Sequence, residues 1–233
     1  MPKVSYLVTC STETDTLESL LKRIVAALGD DQLIILQDKT SKSEATDEII
    51  QIYFDDNRVG WYDHALDNNY GAHKNFGIEK CKGDFIFQID GDELPPEALL
   101  GENLHALLDS NPTIEAYAVP RLNDFKGVTE EHAKQWGWKL TYNPRPTPTD
   151  ISMGPFVNWP DYQWRIFKRD FPRIGFTRKL HEKIEGYLAY TILPAEDDYA
   201  LYHDKTIEKQ IATNLSYNKR FTEAENRGHS VFR

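Results

Sequence analysis

The sequence predicts an α/β domain built on a mostly parallel central sheet flanked by helices. Three observations carry that expectation. Residues 3–10, 33–36 and 85–89 are short runs that are apolar almost throughout, the pattern of strands covered on both faces. Between the first two, Leu17, Leu20, Leu21, Ile24 and Leu28 recur at helical spacing, and Gly29 follows as a stop. Strand, helix and strand in that order imply a crossover and therefore parallel pairing.

The elements follow in order. Residues 3–10 form the first strand, and the polar loop 11–15 supplies capping side chains to the first helix. The second strand lies within 31–37 and ends in Asp38; a short helix is expected at 46–51 and a third strand at 52–54. Residues 70–82 read as a helix with Gly83 past its end, leading into the apolar run 85–89. Pro95, Pro96 and Glu97 open another helix, with Leu100, Leu104, Leu107 and Leu108 as its buried stripe. A strand is expected at 116–120. From 121 to 161 the periodicity fails: Pro144, Pro146 and Pro148 alternate with polar residues, and Trp136, Trp138, Tyr142, Phe156 and Trp159 are scattered, as in a long, partly irregular insert that shapes a pocket. Residues 164–168 and 199–203 read as strands, the second ending in His203. A C-terminal helix capped by Thr206 or Asp204 then places Ile207, Ile211, Leu215 and Phe221 on one side.

Bulk properties narrow the class. The 233 residues suffice for a sizeable core, and 40% hydrophobic with 27% charged residues is ordinary for a globular chain. A net charge of -10 weighs against broad docking on nucleic acid, whose affinity comes largely from Lys and Arg on phosphate. Aromatic residues make up 12%, which suits a surface that stacks on flat ligands or sugar rings. Cys10 and Cys81 have neither disulfide-framework nor metal-ligand spacing and read as buried thiols in a reducing compartment. The N-terminus lacks a signal-peptide pattern, and no apolar run approaches the roughly 20 residues that span a bilayer, so a cytoplasmic location is expected.

Ligands of parallel sheets bind beyond the carboxyl ends of the strands. The loops at 11–15, 38–42 and 90–93 all follow strands and should converge on one edge carrying Glu13, Asp38, Asp90 and Asp92. Asp90 and Asp92 flank Gly91, which lets the backbone turn between them. Hard oxygen donors so placed suit a divalent cation, although a strand ending in a solvated acidic turn has the same sequence. Glu93 reads as shaping that turn. On the helix at 70–82, Gly71, Lys74, Asn75, Ile78 and Cys81 share one stripe. Lys74 either reaches a phosphate-bearing ligand or runs its stem past the core; Asn75 either joins it or bonds a loop backbone. Leu180-His181-Glu182-Lys183-Ile184 is a charged triplet between apolar residues, open to reading as a surface ion-pair site or as chemistry.

These residues in this order resemble the GT-A glycosyltransferases of the family-2 type. The resemblance covers about the first 110 residues and resumes at about 164–203, and it is most specific from Asn69-Tyr70-Gly71-Ala72-His73-Lys74-Asn75 through Gly83-Asp84 to the Asp90-Gly91-Asp92 strand end. Arg165-Ile166-Phe167 and Leu180-His181-Glu182 resemble the Arg-aliphatic-Phe and His-Glu patterns of a bacterial and phage branch. The resemblance implies a Rossmann-like GT-A domain with a nucleotide-sugar-binding half at 1–110, an acceptor-side half at 111–205 and a C-terminal helix at 206–233. It further implies a UDP-sugar donor, with Glu13 and Asp38 at the nucleoside, Lys74 near the phosphates, Asp90 at the ribose or a metal-bound water, and Asp92 on Mn²⁺ or Mg²⁺. Glu182 falls where the general base is expected, and His203 is either a further metal ligand or a buried structural histidine. The second loop reads Gln37-Asp38-Lys39-Thr40-Ser41 instead of the usual Asp-Asp-Gly-Ser-Thr type, so the base preference stays open.

Such a chain would move a sugar to a glycan, lipid-linked or protein hydroxyl, with inversion if one base faces the leaving group. Two rivals remain: transfer to a hydroxylated nucleobase in DNA, which the basic stretch at 168–179 suggests and the net charge disfavours, and a non-catalytic nucleotide- or glycan-binding module. A sugar nucleotidyltransferase would carry a Gly-rich phosphate loop after the first strand, and 11–15 holds no glycine.

Overall fold

The computed structural model describes residues 1–142 and 155–226. Strand β1 (Val4–Cys10) is buried on both faces because its alternate residues face two different cores. Val4, Tyr6 and Val8 join a cluster with Leu17, Leu20, Leu21 and Ile24 of helix α1 (Asp15–Ala27). Leu7 joins Ile78, Phe167 and Phe176 on the other side. Strand β2 (Gln32–Asp38) pairs parallel to β1, as expected from the apolar runs.

The expected helix at 46–51 is longer, and the expected strand at 52–54 is its last turn: α2 spans Glu44–Phe54. Ile49, Ile50 and Tyr53 are buried or partly so at spacings of three and four, while Ile52 and Phe54 are 67% and 44% exposed. The apolar triplet therefore lies on a helix with only one member facing inward. The third strand is β3 (Val59–His64), a polar edge strand parallel to β2 that lacks an apolar run.

Helix α3 (Tyr70–Lys80) is capped by the Asn69 side chain, which accepts from Ala72 N. β4 (Phe85–Asp90) follows, parallel to β1, with Thr9 opposite Asp90. The expected helix from Pro95 is divided. A two-residue strand β5 (Glu93–Leu94) and a 3₁₀ turn (Glu97–Leu99) precede α4 (Gly101–Asp109), and Gly101 takes φ +53° at the break.

The described part of the segment expected to be irregular is largely regular. β6 runs Ala116–Lys126 and is followed by α5 (Glu130–Trp136), β7 (Leu140–Thr141) and β8 (Phe156–Lys168). Pro144, Pro146 and Pro148 lie outside the described residues. β8 is antiparallel to both β4 and β6, which makes the sheet mixed, though still mostly parallel. A separate hairpin joins β9 (Gly175–Thr177) and β10 (Lys183–Glu185), and β11 (Tyr190–Ile192) pairs with β6. The last strand, β12 (Leu201–Thr206), extends past His203, and Tyr199 belongs to a 3₁₀ turn before it. Thr206 caps α6 (Ile207–Arg220), and α7 (Glu223–Asn226) ends the described chain. Of the stripe expected on α6, Ile207 and Phe221 are buried, whereas Leu215 is 57% exposed. The order across the main sheet is β3-β2-β1-β4-β8-β6-β12-β5. No helix among the described residues is long and apolar enough to cross a membrane.

The β9–β10 hairpin docks on α3 through one face of that helix. A Cβ on Gly71 would sit 2.4 Å from the Arg178 carbonyl oxygen, so only glycine admits this approach. One turn on, the Asn75 amide donates to Phe176 O at 2.9 Å and accepts from Phe176 N at 2.8 Å, the backbone-bonding alternative of the two that the sequence left open. Gly71→Ala should push helix and hairpin apart and lower stability by about 1–3 kcal/mol; an unchanged urea midpoint would disprove the close-packing account.

Candidate functional site

The loops after β1, β2 and β4 meet at the carboxyl edge of the parallel strands. There they line a cleft of about 1090 Å³ that also takes residues from β6, β8, β12, α6 and the β9–β10 turn. That volume stands at the top of the roughly 300–1,000 Å³ span of ligand clefts, with room for more than one small molecule. Glu13, Asp38, Lys74, Asp90, Asp92, Glu182 and His203 all line it.

Asp38 organises its own loop. Its Oδ1 accepts from Thr40 N, Thr40 Oγ1 and Leu66 N, and its Oδ2 from Ser41 Oγ at 2.6 Å. Burial alone would raise its pKa, but these donors hold it below the usual aspartate value. Oδ2 retains capacity for a further donor from a ligand. Glu13 accepts from Ser11 N at 2.6 Å, and burial raises its pKa, with a smaller push from Asp92.

Lys74 lines the cleft but is held by protein acceptors. It is 3% exposed and donates to Asp90 Oδ1 at 2.8 Å, Glu182 Oε1 at 2.7 Å and Gln88 Oε1 at 3.2 Å. All three ammonium protons thus have protein acceptors. Burial works against the charge, and Asp90 and Glu182 more than restore it, so its pKa is raised. The same contacts fix Glu182, which sits on the turn between β9 and β10, where Arg178 and His181 adopt left-handed backbone at φ +70° and +52°.

Asp90 and Asp92 are neighbours with unlike surroundings. Asp90 also accepts from Thr9 Oγ1, Gln88 Nε2 and Arg165 Nη2, and despite burial, Arg165 and Lys74 hold its pKa well below the usual range. Asp92 meets one side chain among the described residues, His203, with Oδ2 and Nε2 3.2 Å apart. His203 Nδ1 lies 2.8 Å from Asn123 Oδ1, and Asn123 Nδ2 is committed as donor to Val157 O and Asp161 Oδ2, which fixes the amide orientation. The Nδ1–H of His203 therefore donates to Asn123, and Nε2 faces the carboxylate, donating to it when the ring carries a second proton and able to share a cation with it when the ring does not. Among the described residues no cluster of three or more His, Cys, Asp and Glu side chains could enclose a metal alone. The donor pair fits a divalent ion that takes its remaining ligands from phosphate oxygens and water.

Further charged residues, none of them assigned an ion-pairing role from the sequence, complete the edge. Glu93 is fully buried: it accepts from Asp90 N, from Arg165 and from Arg121 Nη1 at 3.1 Å, so it anchors charge as well as shaping the turn. Arg165 also reaches Gln88, and Arg121 pairs with Asp161 through Nη2 at 2.6 Å. Part of their signal was available: Asp161, Gln163 and Arg165 recur at every second position of β8, and a polar Gln88 interrupts the apolar run of β4, but a β-bulge at Arg165 in β8 breaks the alternation.

Comparison with known proteins follows from this geometry. Residues 5–183 match the sequence model of Glycosyl transferase family 2. The fold is similar to S. aureus TarS 1-349 in complex with UDP-GlcNAc, with a TM-score of 0.58 at 14% identity over 87% of this chain and 58% of that one. Another S. aureus TarS structure gives 0.55 at 14% identity over 95% of this chain and 41% of that one. The mannosyltransferase PcManGT from Pyrobaculum calidifontis, in complex with GDP-Man and Mn2+, gives 0.45 at 16% identity over 52% and 36%. The chain thus spans little more than half of the TarS fragment. No curated protein matches the sequence.

His73 at the cleft wall yields a pH prediction. Burial, and then His64, whose Nδ1 is 3.2 Å from that of His73, lower its pKa to about 4. An unfolded histidine titrates near 6.5, so on acidification the unfolded chain takes up this proton first. The contribution is complete above about pH 6.5 and is lost as pH falls toward 4, by on the order of 2–3 kcal/mol. His73→Gln should flatten this acid limb in urea titrations at pH 7.5 and 4.5; equal acid losses in both proteins would refute the assignment.

Proposed function

The chain belongs to glycosyl transferase family 2, and on that premise we propose that it moves a sugar from a nucleotide-sugar donor to a hydroxyl acceptor with the help of Mn²⁺ or Mg²⁺. The sheet is that of the GT-A fold. A UDP-sugar is the favoured donor, a choice supported by the UDP-GlcNAc complex of TarS; the acceptor is a glycan, a lipid-linked saccharide or a protein hydroxyl. The observation that carries the reading is the placement of the Asp92–His203 donor pair and the Glu182 carboxylate in one cleft.

Each residue then has a chemical task. Asp38 accepts from the nucleobase through its remaining Oδ2 capacity, Glu13 lies on the nucleoside side, and Asp90 faces the ribose. Asp92 and His203 would hold a divalent ion, which would supply positive charge to offset that of the departing diphosphate. Glu182, its position set by Lys74, takes the acceptor proton as the acceptor oxygen bonds to the anomeric carbon. The carbon–oxygen bond to phosphate breaks on the opposite face, so a single displacement inverts the configuration.

Two substitutions separate these tasks. Asp92→Asn should weaken Mn²⁺-dependent UDP binding by at least tenfold in calorimetry; undiminished affinity would remove the metal assignment. Glu182→Gln keeps a hydrogen-bond acceptor for Lys74 and should leave UDP affinity intact while transfer falls about 10²–10⁴-fold. A variant turning over at the wild-type rate would exclude Glu182 as base.

A further inference from the structure

Glycosyl transfer leaves the bonding electron pair on a phosphate oxygen, so the departing diphosphate gains negative charge beyond what one divalent ion offsets. A cation that meets this charge must face the cleft and must not already be held by a protein carboxylate. Lys74, Arg121 and Arg165 line the cleft but fail the second condition, since each is locked between buried acceptors.

Strand β12 and the first turn of α6 supply cations that meet both conditions. Side chains alternate along a strand, so His203 and Lys205 share the face turned to the cleft, while Asp204 points away and pairs with Lys126 at 2.5 Å. Lys205 lines the cleft beside Asp92 and Glu13. Four residues on, Lys209 lies in the first turn of α6 and lines the same wall, with Glu13 near it. Among the described residues neither ammonium group has a hydrogen-bond or ion-pair partner within contact distance. Among the described residues, Lys205 and Lys209 are thus two cations without a close partner, two and six positions after His203, on the side of the cleft where Asp92 sits.

We propose that Lys205 and Lys209 form the diphosphate-binding wall of the donor site, contacting the phosphoryl oxygens and stabilising the leaving group as the glycosidic bond to phosphate breaks. The assignment rests on the nucleotide-sugar reading above and transfers to these two residues the phosphate role that the sequence suggested for Lys74. Acceptor oxygen and anomeric carbon form the new bond, the proton passes to Glu182, and the electron pair of the broken bond stays on the diphosphate facing Lys205 and Lys209.

The test measures binding of UDP, GDP, uridine and inorganic pyrophosphate, each with Mn²⁺, to the full chain and to Lys205→Met and Lys209→Met. Each substitution should weaken UDP (or GDP) and pyrophosphate about tenfold to hundredfold, the range for losing one charged hydrogen bond, and leave uridine affinity unchanged. Lys209 is exposed on the first turn of α6, so its replacement reads out the wall without disturbing the core. Wild-type diphosphate affinity in the two variants would overturn the proposal alone. A wild-type protein that binds neither UDP nor GDP with Mn²⁺ would overturn the nucleotide-sugar reading and this proposal with it.

Discussion

A buried ammonium group ties the candidate site together. Lys74 is enclosed between α3, β4 and the β9–β10 turn, and a charge so buried requires partners with close geometry. It finds them in Asp90 and Glu182, which stand 92 positions apart in sequence (182 minus 90). The strand end and the hairpin turn are thereby held in register with each other. Gly71 and Asn75, on the same helix face, fix the hairpin from beside it by close backbone approach and by a two-point amide contact. The polar stripe on α3 is therefore a docking surface for the segment that carries the proposed base.

Charge around this point is divided between groups saturated by the protein and groups that keep capacity for a ligand. Asp90 and Glu93 are surrounded by Lys74, Arg165, Arg121 and Gln88, in the manner of a fully bonded polar network. Asp92, two residues from Asp90, is met only by His203 among the described side chains, and Lys205 follows His203 on the same strand face. The rigid half of the network positions the carboxylates, and the open half faces the cleft. On the proposed reading, a cation at Asp92 and His203 and an anion at Lys205 and Lys209 would be complementary demands on one ligand, a metal-bound diphosphate.

Much of the fold was legible because it rests on local periodicity. The apolar runs of β1, β2 and β4 and the stripe of α1 are dictated by burial on both faces of a parallel sheet, and their order places the loops after β1, β2 and β4 on one edge. Legibility failed where apolar content and burial part company. Residues 52–54 look like a strand but finish α2, since only Tyr53 turns inward, and β3 escaped notice because an edge strand can be polar. The length of β6 and β8 was likewise hidden, because Arg121, Asn123, Asp161 and Arg165 interrupt their apolar character.

Those interrupting residues mark the boundary between what each level decides. The sequence by itself determined the α/β class, the convergent carboxylates at Glu13, Asp38, Asp90 and Asp92, and the candidacy of Lys74, Glu182 and His203, because residue type and strand-end position carry that information. Only the tertiary structure decided which charges are paired. Lys74 is engaged by Asp90 and Glu182, His203 faces Asp92, and among the described residues Lys205 and Lys209 make no hydrogen bond or ion pair at contact distance. Ion pairing depends on distances between segments far apart in the chain, and such distances exist only once the sheet, the hairpin and the last helix have packed together.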